Sequence, residues 1–211
     1  MTRSVIFDCD GVLVDTEEIG NRVLARLLTE GGLPTTIDDS MGDYRGRSMS
    51  SVLALAAQRL GGPLPDDLAD RYYAEVKAAF ASHLEAVPGI AAALDRISLP
   101  SCVASSGPHH KMEVTLRVTG LWDRFAGRIF SASEVAAGKP APDLFLHAAE
   151  RMGFDPATTA VVEDSLPGIQ AARAAGMRAL AFTRHGDAQC LAAAGGEPFG
   201  DMAQLPGLLA R

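Results

Sequence analysis

The chain has 211 residues, of which 47% are hydrophobic and 21% charged, a composition that excludes a disordered polyelectrolyte and supplies enough apolar surface for a packed core. Nineteen Lys and Arg stand against twenty-six Asp and Glu, a net charge of −7, so the overall field repels a nucleic-acid backbone or an anionic membrane surface, and neither is expected as a partner. Any anionic ligand then needs a local cationic site: a metal ion, a lysine or a helix N-terminus.

The three cysteines, Cys9, Cys102 and Cys190, show no C-x-x-C spacing, which fits a reducing cytoplasm better than a disulfide framework. The first residues do not read as a signal peptide, and no stretch approaches the roughly 18 apolar residues of a membrane span.

In chain order, residues 4–7 form a short apolar run that ends at Asp8 and reads as a strand of a buried parallel sheet. Residues 17–30, 50–60 and 66–84 carry helical periodicity, broken by Gly31-Gly32-Leu33-Pro34 and Gly61-Gly62-Pro63-Leu64-Pro65, which are loop signals. Residues 16–87 are therefore expected to form an all-helical insertion, with 1–15 and 88–211 as the core. Strand-like runs then recur at 101–104, 128–130, 159–162 and 178–182, and helical ones at 90–97, 111–118, 144–152 and 169–175. This alternation predicts an α/β fold with a Rossmann-like, doubly wound parallel sheet.

Four polar clusters fall at the ends of predicted strands. Asp8 and Asp10 are spaced by one residue, and continued strand geometry turns both carboxylates to one side. Like charges so close are tolerated when a cation neutralises them or one acid keeps its proton. Two readings stay open: a magnesium site beside a proton-shuttling acid, or a turn with capping acids. Ser105, followed by Ser106, Gly107 and Pro108, is a hydroxyl donor to a phosphoryl oxygen or a turn and helix-cap serine.

Lys139, in Gly138-Lys139-Pro140-Ala141-Pro142-Asp143, neutralises a carboxylate and an incoming phosphoryl group or is simply solvated. Pro140 after it excludes a P-loop, which needs Ser or Thr there. Glu163 and Asp164 end the run at 159–162. Asp164 completes a metal shell with Asp8 and the backbone carbonyl of Asp10, or the segment caps a helix through Ser165 with Pro167 in its first turn. A parallel sheet brings all these strand ends to one edge. There they supply a nucleophile, an acid/base, a hydroxyl donor, a cation and a metal site, the parts of phosphoryl transfer.

In this order, Asp8 with Asp10, Ser105, Lys139 and Glu163 with Asp164 resemble the four motifs of the haloacid dehalogenase superfamily. The strings Gly-Lys-Pro-Ala-Pro-Asp and Glu-Asp-Ser-Leu-Pro-Gly-Ile-Gln-Ala-Ala resemble its subgroup with a helical cap, which includes β-phosphoglucomutase and phosphoglycolate phosphatases. The resemblance implies that Asp8 is the nucleophile of an aspartyl-phosphate intermediate and Asp10 the acid/base. It implies phosphate bound by Asp8, Ser105, Ser106 and Lys139, and Mg2+ held by Asp8, Asp10 and Asp164 with Glu163 orienting them. It also implies a four-helix cap that closes on hinges near Asp15 and near Val87 to Gly89.

Mutases of the subgroup carry a histidine where this chain has Gly20 and an arginine where it has Met49, so a hydrolase is expected. Glu17, Arg45 and Arg47 in the cap are candidate substrate contacts. The stretches from Cys102 to Met112 and from Phe145 to Ala149 imply sugar phosphates or sugar-acid phosphates such as 6-phosphogluconate as substrates. The expected partner is a small phosphorylated metabolite, and the chain is expected to be a monomer or a weak dimer. A phospho-accepting signalling module of the receiver type uses similar groups, but it places its acid pair first and its acceptor later and has no helical insertion.

Overall fold

The computed structural model describes residues 1–44, 49–184 and 186–211. In chain order they form β1 (Ser4–Phe7), α1 (Thr16–Glu30), α2 (Ile37–Asp43), α3 (Met49–Leu60), α4 (Leu68–His83), α5 (Ile90–Arg96), β2 (Ser101–Ser105), α6 (His109–Val118) and α7 (Trp122–Phe125). There follow β3 (Ile129–Ser131), α8 (Asp143–Met152), β4 (Thr159–Glu163), α9 (Leu166–Ala174), β5 (Arg178–Phe182), α10 (Ala188–Ala193), β6 (Glu197–Phe199) and α11 (Leu205–Leu209). Two compact units divide this path: Met1–Val14 with Glu85–Arg211, and Asp15–Leu84.

The first unit is built on one parallel sheet in the order β3-β2-β1-β4-β5-β6. β1 and β4 are central and buried along their whole length, which is why their sequences are unbroken apolar runs rather than alternating ones. The winding reverses between β1 and β4, and the crevice beyond the carboxyl ends of such a pair is where doubly wound sheets hold ligands.

Side-chain alternation sends Ile6, Cys102, Ala104, Val161 and Ala179 to one face. There they pack with Phe145 and Ala148 of α8, Ile169 and Ala172 of α9, and Leu191 of α10. On another β1 position, Phe7 meets Phe125 of α7 edge to face, ring centroids 5.9 Å apart, a favoured aromatic geometry. Where the chain leaves and re-enters this unit, Val14 and Ala86 form an antiparallel bridge, and the Val87 N–H donates to Leu13 O at 3.0 Å.

The elements of the second unit among the described residues are all helices, joined by loops at 31–36 and 61–67. Leu24, Leu27 and Leu28 of α1 pack with Val52 and Ala56 of α3 and Leu68 of α4. Arg26 and Arg71 each pair with both Glu30 and Glu75, an exposed ring that ties α1 to α4 and contributes modestly. The buried Ser40 hydroxyl donates to Asn21 Oδ1 at 2.8 Å, which ties α2 to α1. No helix among the described residues is long and apolar enough to cross a membrane.

Several elements escape the periodicity argument. α2 buries only Ser40, so it has no apolar stripe; its signature is the Thr36–Asp39 capping box, a purely local signal. β6 contains Pro198, a residue that reads against a strand and is tolerated here because β6 is the sheet edge. α7, α10 and α11 are too short to show a helical period.

Phe125 is almost fully buried. Phe125→Ala is expected to lower the unfolding free energy by about 3–5 kcal/mol in urea denaturation; a loss below about 1 kcal/mol would show that α7 does not hold this side of the sheet.

Candidate active site

β1 delivers Asp8 at its carboxyl end, and the Asp8 N–H still donates to Val162 O at 2.9 Å, so the ladder between β1 and β4 fixes where its side chain starts. β4 delivers Glu163, its last residue, alongside. Lys139 enters from the loop between β3 and α8, and its ammonium donates to Asp8 Oδ1 at 2.7 Å and Glu163 Oε1 at 2.6 Å. It also lies 4.9 Å from the Phe145 ring centroid, within the range of a cation–π contact.

All three charged groups are buried, Lys139 with 5% of its side chain exposed. One ammonium is thus shared by two carboxylates. Burial pushes the Asp8 carboxyl up to about 7, opposed by Lys139 and reinforced by Glu163 and Asp10. Burial also works against the Lys139 ammonium, but Asp8 and Glu163 outweigh it and hold the lysine above its ordinary value.

Glu163 is held from its other side as well. The Ser165 N–H and hydroxyl donate to Oε2 at 2.7 and 2.8 Å, while that hydroxyl accepts from the Gly168 N–H at 3.2 Å and caps α9. The capping reading of this segment thus holds, and the same hydroxyl also fixes Glu163 beside Asp8 and Lys139.

Two glycines make the close approaches possible. A Cβ at Gly168 would lie 1.8 Å from Glu163 Oε1. Gly11 has φ +77°, and a Cβ there would lie 2.2 Å from Asp164 Oδ2. Only a residue without a side chain fits either position.

Ligand oxygens of Asp8, Glu163 and Asp164 lie within 4.8 Å of one another. An all-oxygen, carboxylate-rich set suits a hard divalent cation. Asp10 is not in this cluster: its Oδ2 accepts from Lys111 Nζ at 2.7 Å. Asp8 and Asp10 are thus met by different lysines, Asp8 by Lys139, which it shares with Glu163, and Asp10 by Lys111.

Lys111 is a site residue that periodicity conceals, because it falls inside the helical run of α6. A signal was available: it occupies the first turn of a helix that has no acid there, the end where a cation is unfavourable. Burial acts against its ammonium, but Asp10 lifts it above the ordinary lysine value.

Ser105 is buried at the end of β2, and its hydroxyl accepts from the Gly107 N–H at 3.2 Å. Ser131 donates to Gly107 O at 2.9 Å, so the turn after β2 is pinned at both ends of Gly107. Ser106 beside it is exposed. The end of β3 is braced by Glu134, which accepts from the Ser131 N–H at 2.6 Å and contacts His109 and His147 at 2.8 and 3.2 Å. Cys9 is buried, and burial with the nearby Asp10 and Asp8 pushes its thiol well up, so it is packing and no nucleophile.

Glu17, Gly20 and Met49 belong to the second unit. Arg45 and Arg47 lie outside the described residues.

The shift at Asp8 predicts a pH effect. Its folded value is raised from 3.8 to about 7, so ionising it disfavours the fold, and stability falls as pH climbs through that interval. Asp8→Asn removes this cost. In chelator near pH 8 the variant is expected to melt above wild type, with a gap that narrows towards pH 5. A wild type that melts higher near pH 8 would contradict the electrostatic account.

Residues 2–176 match the family described as haloacid dehalogenase-like hydrolase. The chain is 33% identical over 181 residues to the 6-phosphogluconate phosphatase of Escherichia coli K12, covering 85% of this chain and 82% of that protein. It is similar to the structure of a conserved haloacid dehalogenase-like protein from Agrobacterium tumefaciens, with a TM-score of 0.93, 36% identity, and 100% and 98% of the two chains covered. A haloacid dehalogenase family hydrolase of Deinococcus radiodurans, solved with bound phosphate and sodium, gives a TM-score of 0.87 at 31% identity, covering 99% and 95%. The chain belongs to the haloacid dehalogenase-like hydrolases and is a phosphoric monoester hydrolase of that family.

Proposed function

We propose that this enzyme is a magnesium-dependent phosphatase of small phosphorylated sugars or sugar acids, working through an aspartyl phosphate on Asp8. The observation that carries the reading is the buried Lys139 ammonium between Asp8 and Glu163. It opposes the burial that raises the Asp8 carboxyl and sits next to a place where phosphoryl charge develops.

In the first step an Asp8 oxygen attacks phosphorus in line with the ester oxygen, whose bond to phosphorus breaks while Asp10 gives it a proton. In the second, Asp10 takes a proton from water as that water attacks the phosphorus, and the bond from phosphorus to Asp8 breaks to release phosphate. Lys139 neutralises Asp8 and the transferred group, and the Ser105 hydroxyl donates to a phosphoryl oxygen, with Ser106 beside it.

Asp8 and Asp164 would hold magnesium directly with the Asp10 backbone carbonyl. Glu163 would orient the set, since both its oxygens already accept bonds. Magnesium would supply positive charge where the oxygens of Asp8, Glu163 and Asp164 cluster.

The helical second unit interrupts the chain between β1 and α5, and the proposed role for it is a cap that shields the reaction from bulk water. Glu17, Arg45 and Arg47 are its proposed substrate contacts. Gly20 and Met49 stand where mutases of the subgroup hold a histidine and an arginine, which favours hydrolysis over return transfer. The similarity to a 6-phosphogluconate phosphatase supports sugar-acid phosphates among the substrates, and the absence of C-x-x-C spacing supports a cytoplasmic setting.

Phosphate release from 6-phosphogluconate, hexitol phosphates and phosphoglycolate is expected to need magnesium and to stop in chelator. Asp8→Asn is expected to lose about a thousandfold or more of kcat, and Lys139→Met about a hundredfold or more. Turnover that persists in chelator, or an active Asp8→Asn, would overturn the mechanism.

A further inference from the structure

Asp10 is the acid/base in the reading above, and nothing in that reading says what aims it. It lies past the end of β1, where a bridge between Asp10 and Val14 holds the backbone and side-chain contacts set where the carboxylate points. A carboxylate there, close to Asp8, would be driven away by repulsion. Lys111 opposes that repulsion: its ammonium donates to Asp10 Oδ2 at 2.7 Å, and both side chains are partly buried, 34% and 25% exposed.

The lysine is itself placed by the fold. It stands in the first turn of α6, which packs through the buried Met112, Thr115 and Leu116. A Cβ at Gly107 would touch Lys111 Cδ, Ser105 Oγ and Asp10 Oδ2 at 3.4, 3.6 and 3.8 Å, so the turn after β2 leaves open the space on which these three groups converge. Lys139, by contrast, bonds Asp8 and Glu163, so the two lysines divide the acids between them.

We propose that Lys111 is the positioning residue for Asp10: it holds the carboxylate by Oδ2 in the orientation from which Asp10 exchanges protons with the leaving oxygen and with water. The inference rests on the acid/base reading of Asp10. It assigns Lys111 to the chemical step and not to substrate binding, so its loss acts on kcat and leaves KM nearly unchanged. A misaimed proton donor also matters more for a poor leaving group, which needs its proton, than for an aryl oxide, which leaves without one.

The test is a double-mutant cycle with Lys111→Met, Asp10→Asn and both together, with Lys111→Arg as the conservative variant. Each is assayed for kcat and KM on 6-phosphogluconate, or on the sugar phosphate turned over best, and for the pre-steady-state release of p-nitrophenol from p-nitrophenyl phosphate. Asp10→Asn is expected to lose about a hundredfold or more of kcat. Lys111→Met is expected to lose about tenfold or more on the sugar ester, with KM within about twofold and a smaller loss in the p-nitrophenol burst. Lys111→Arg is expected to recover part of the loss, and adding Lys111→Met to Asp10→Asn to cost nothing further.

An impaired Asp10→Asn combined with additive losses, a raised KM at unchanged kcat, or equal losses on both esters would overturn the role of Lys111 alone. A fully active Asp10→Asn would overturn the acid/base reading itself.

Discussion

One ammonium lying between two buried carboxylates of adjacent strands is the constraint from which the rest of this site follows. Moving each ion out of water costs several kcal/mol, and the attraction between them offsets that cost only when the geometry is good and the remaining lone pairs are bonded. Here Lys139 donates to both acids, and Ser165 donates twice to the far oxygen of Glu163. The strand order makes this possible, since β1 and β4 are direct neighbours and end together. Gly168 and Gly11 then remove the atoms that would keep Glu163 and Asp164 away.

The same geometry leaves Asp8 costly as an anion. One ammonium is divided between Asp8 and Glu163, and burial, which Lys139 only partly opposes, keeps the Asp8 carboxyl raised. A structural ion pair would be tuned the other way, with one cation to each buried anion. Sites poised for reaction commonly hold their charges in such costly arrangements. In the proposed mechanism a divalent cation and a phosphoryl group arriving together would change the balance, because one would bring positive charge and the other the group that Asp8 would attack.

Much of this was legible from residue order. The runs that end at Asp8, Ser105 and Glu163 are strands because both faces of a central parallel strand are buried, and such strands have no polar alternation to confuse them with loops. The candidate residues of the core were legible for the same reason: polar side chains at the ends of apolar runs share one sheet edge. Lys111 was not, because a lysine inside a helical period looks like solvated surface, and its partner Asp10 lies 101 residues away in sequence. Nor was the double duty of Ser165, whose cap on α9 and grip on Glu163 use one hydroxyl. β6 was hidden by Pro198, and α2 by the lack of any apolar face.

The central claim is that Asp8 carries the phosphoryl group in passing, and rapid quenching tests it most directly. Wild-type enzyme mixed with magnesium and a slowly hydrolysed sugar phosphate is stopped in acid within the first turnover, digested and analysed by mass spectrometry. The account predicts one phosphoryl group on the peptide that contains Asp8, rising and decaying in step with phosphate release. Phosphate release with no phosphorylated carboxylate at any time point would contradict it and leave direct attack by water as the mechanism.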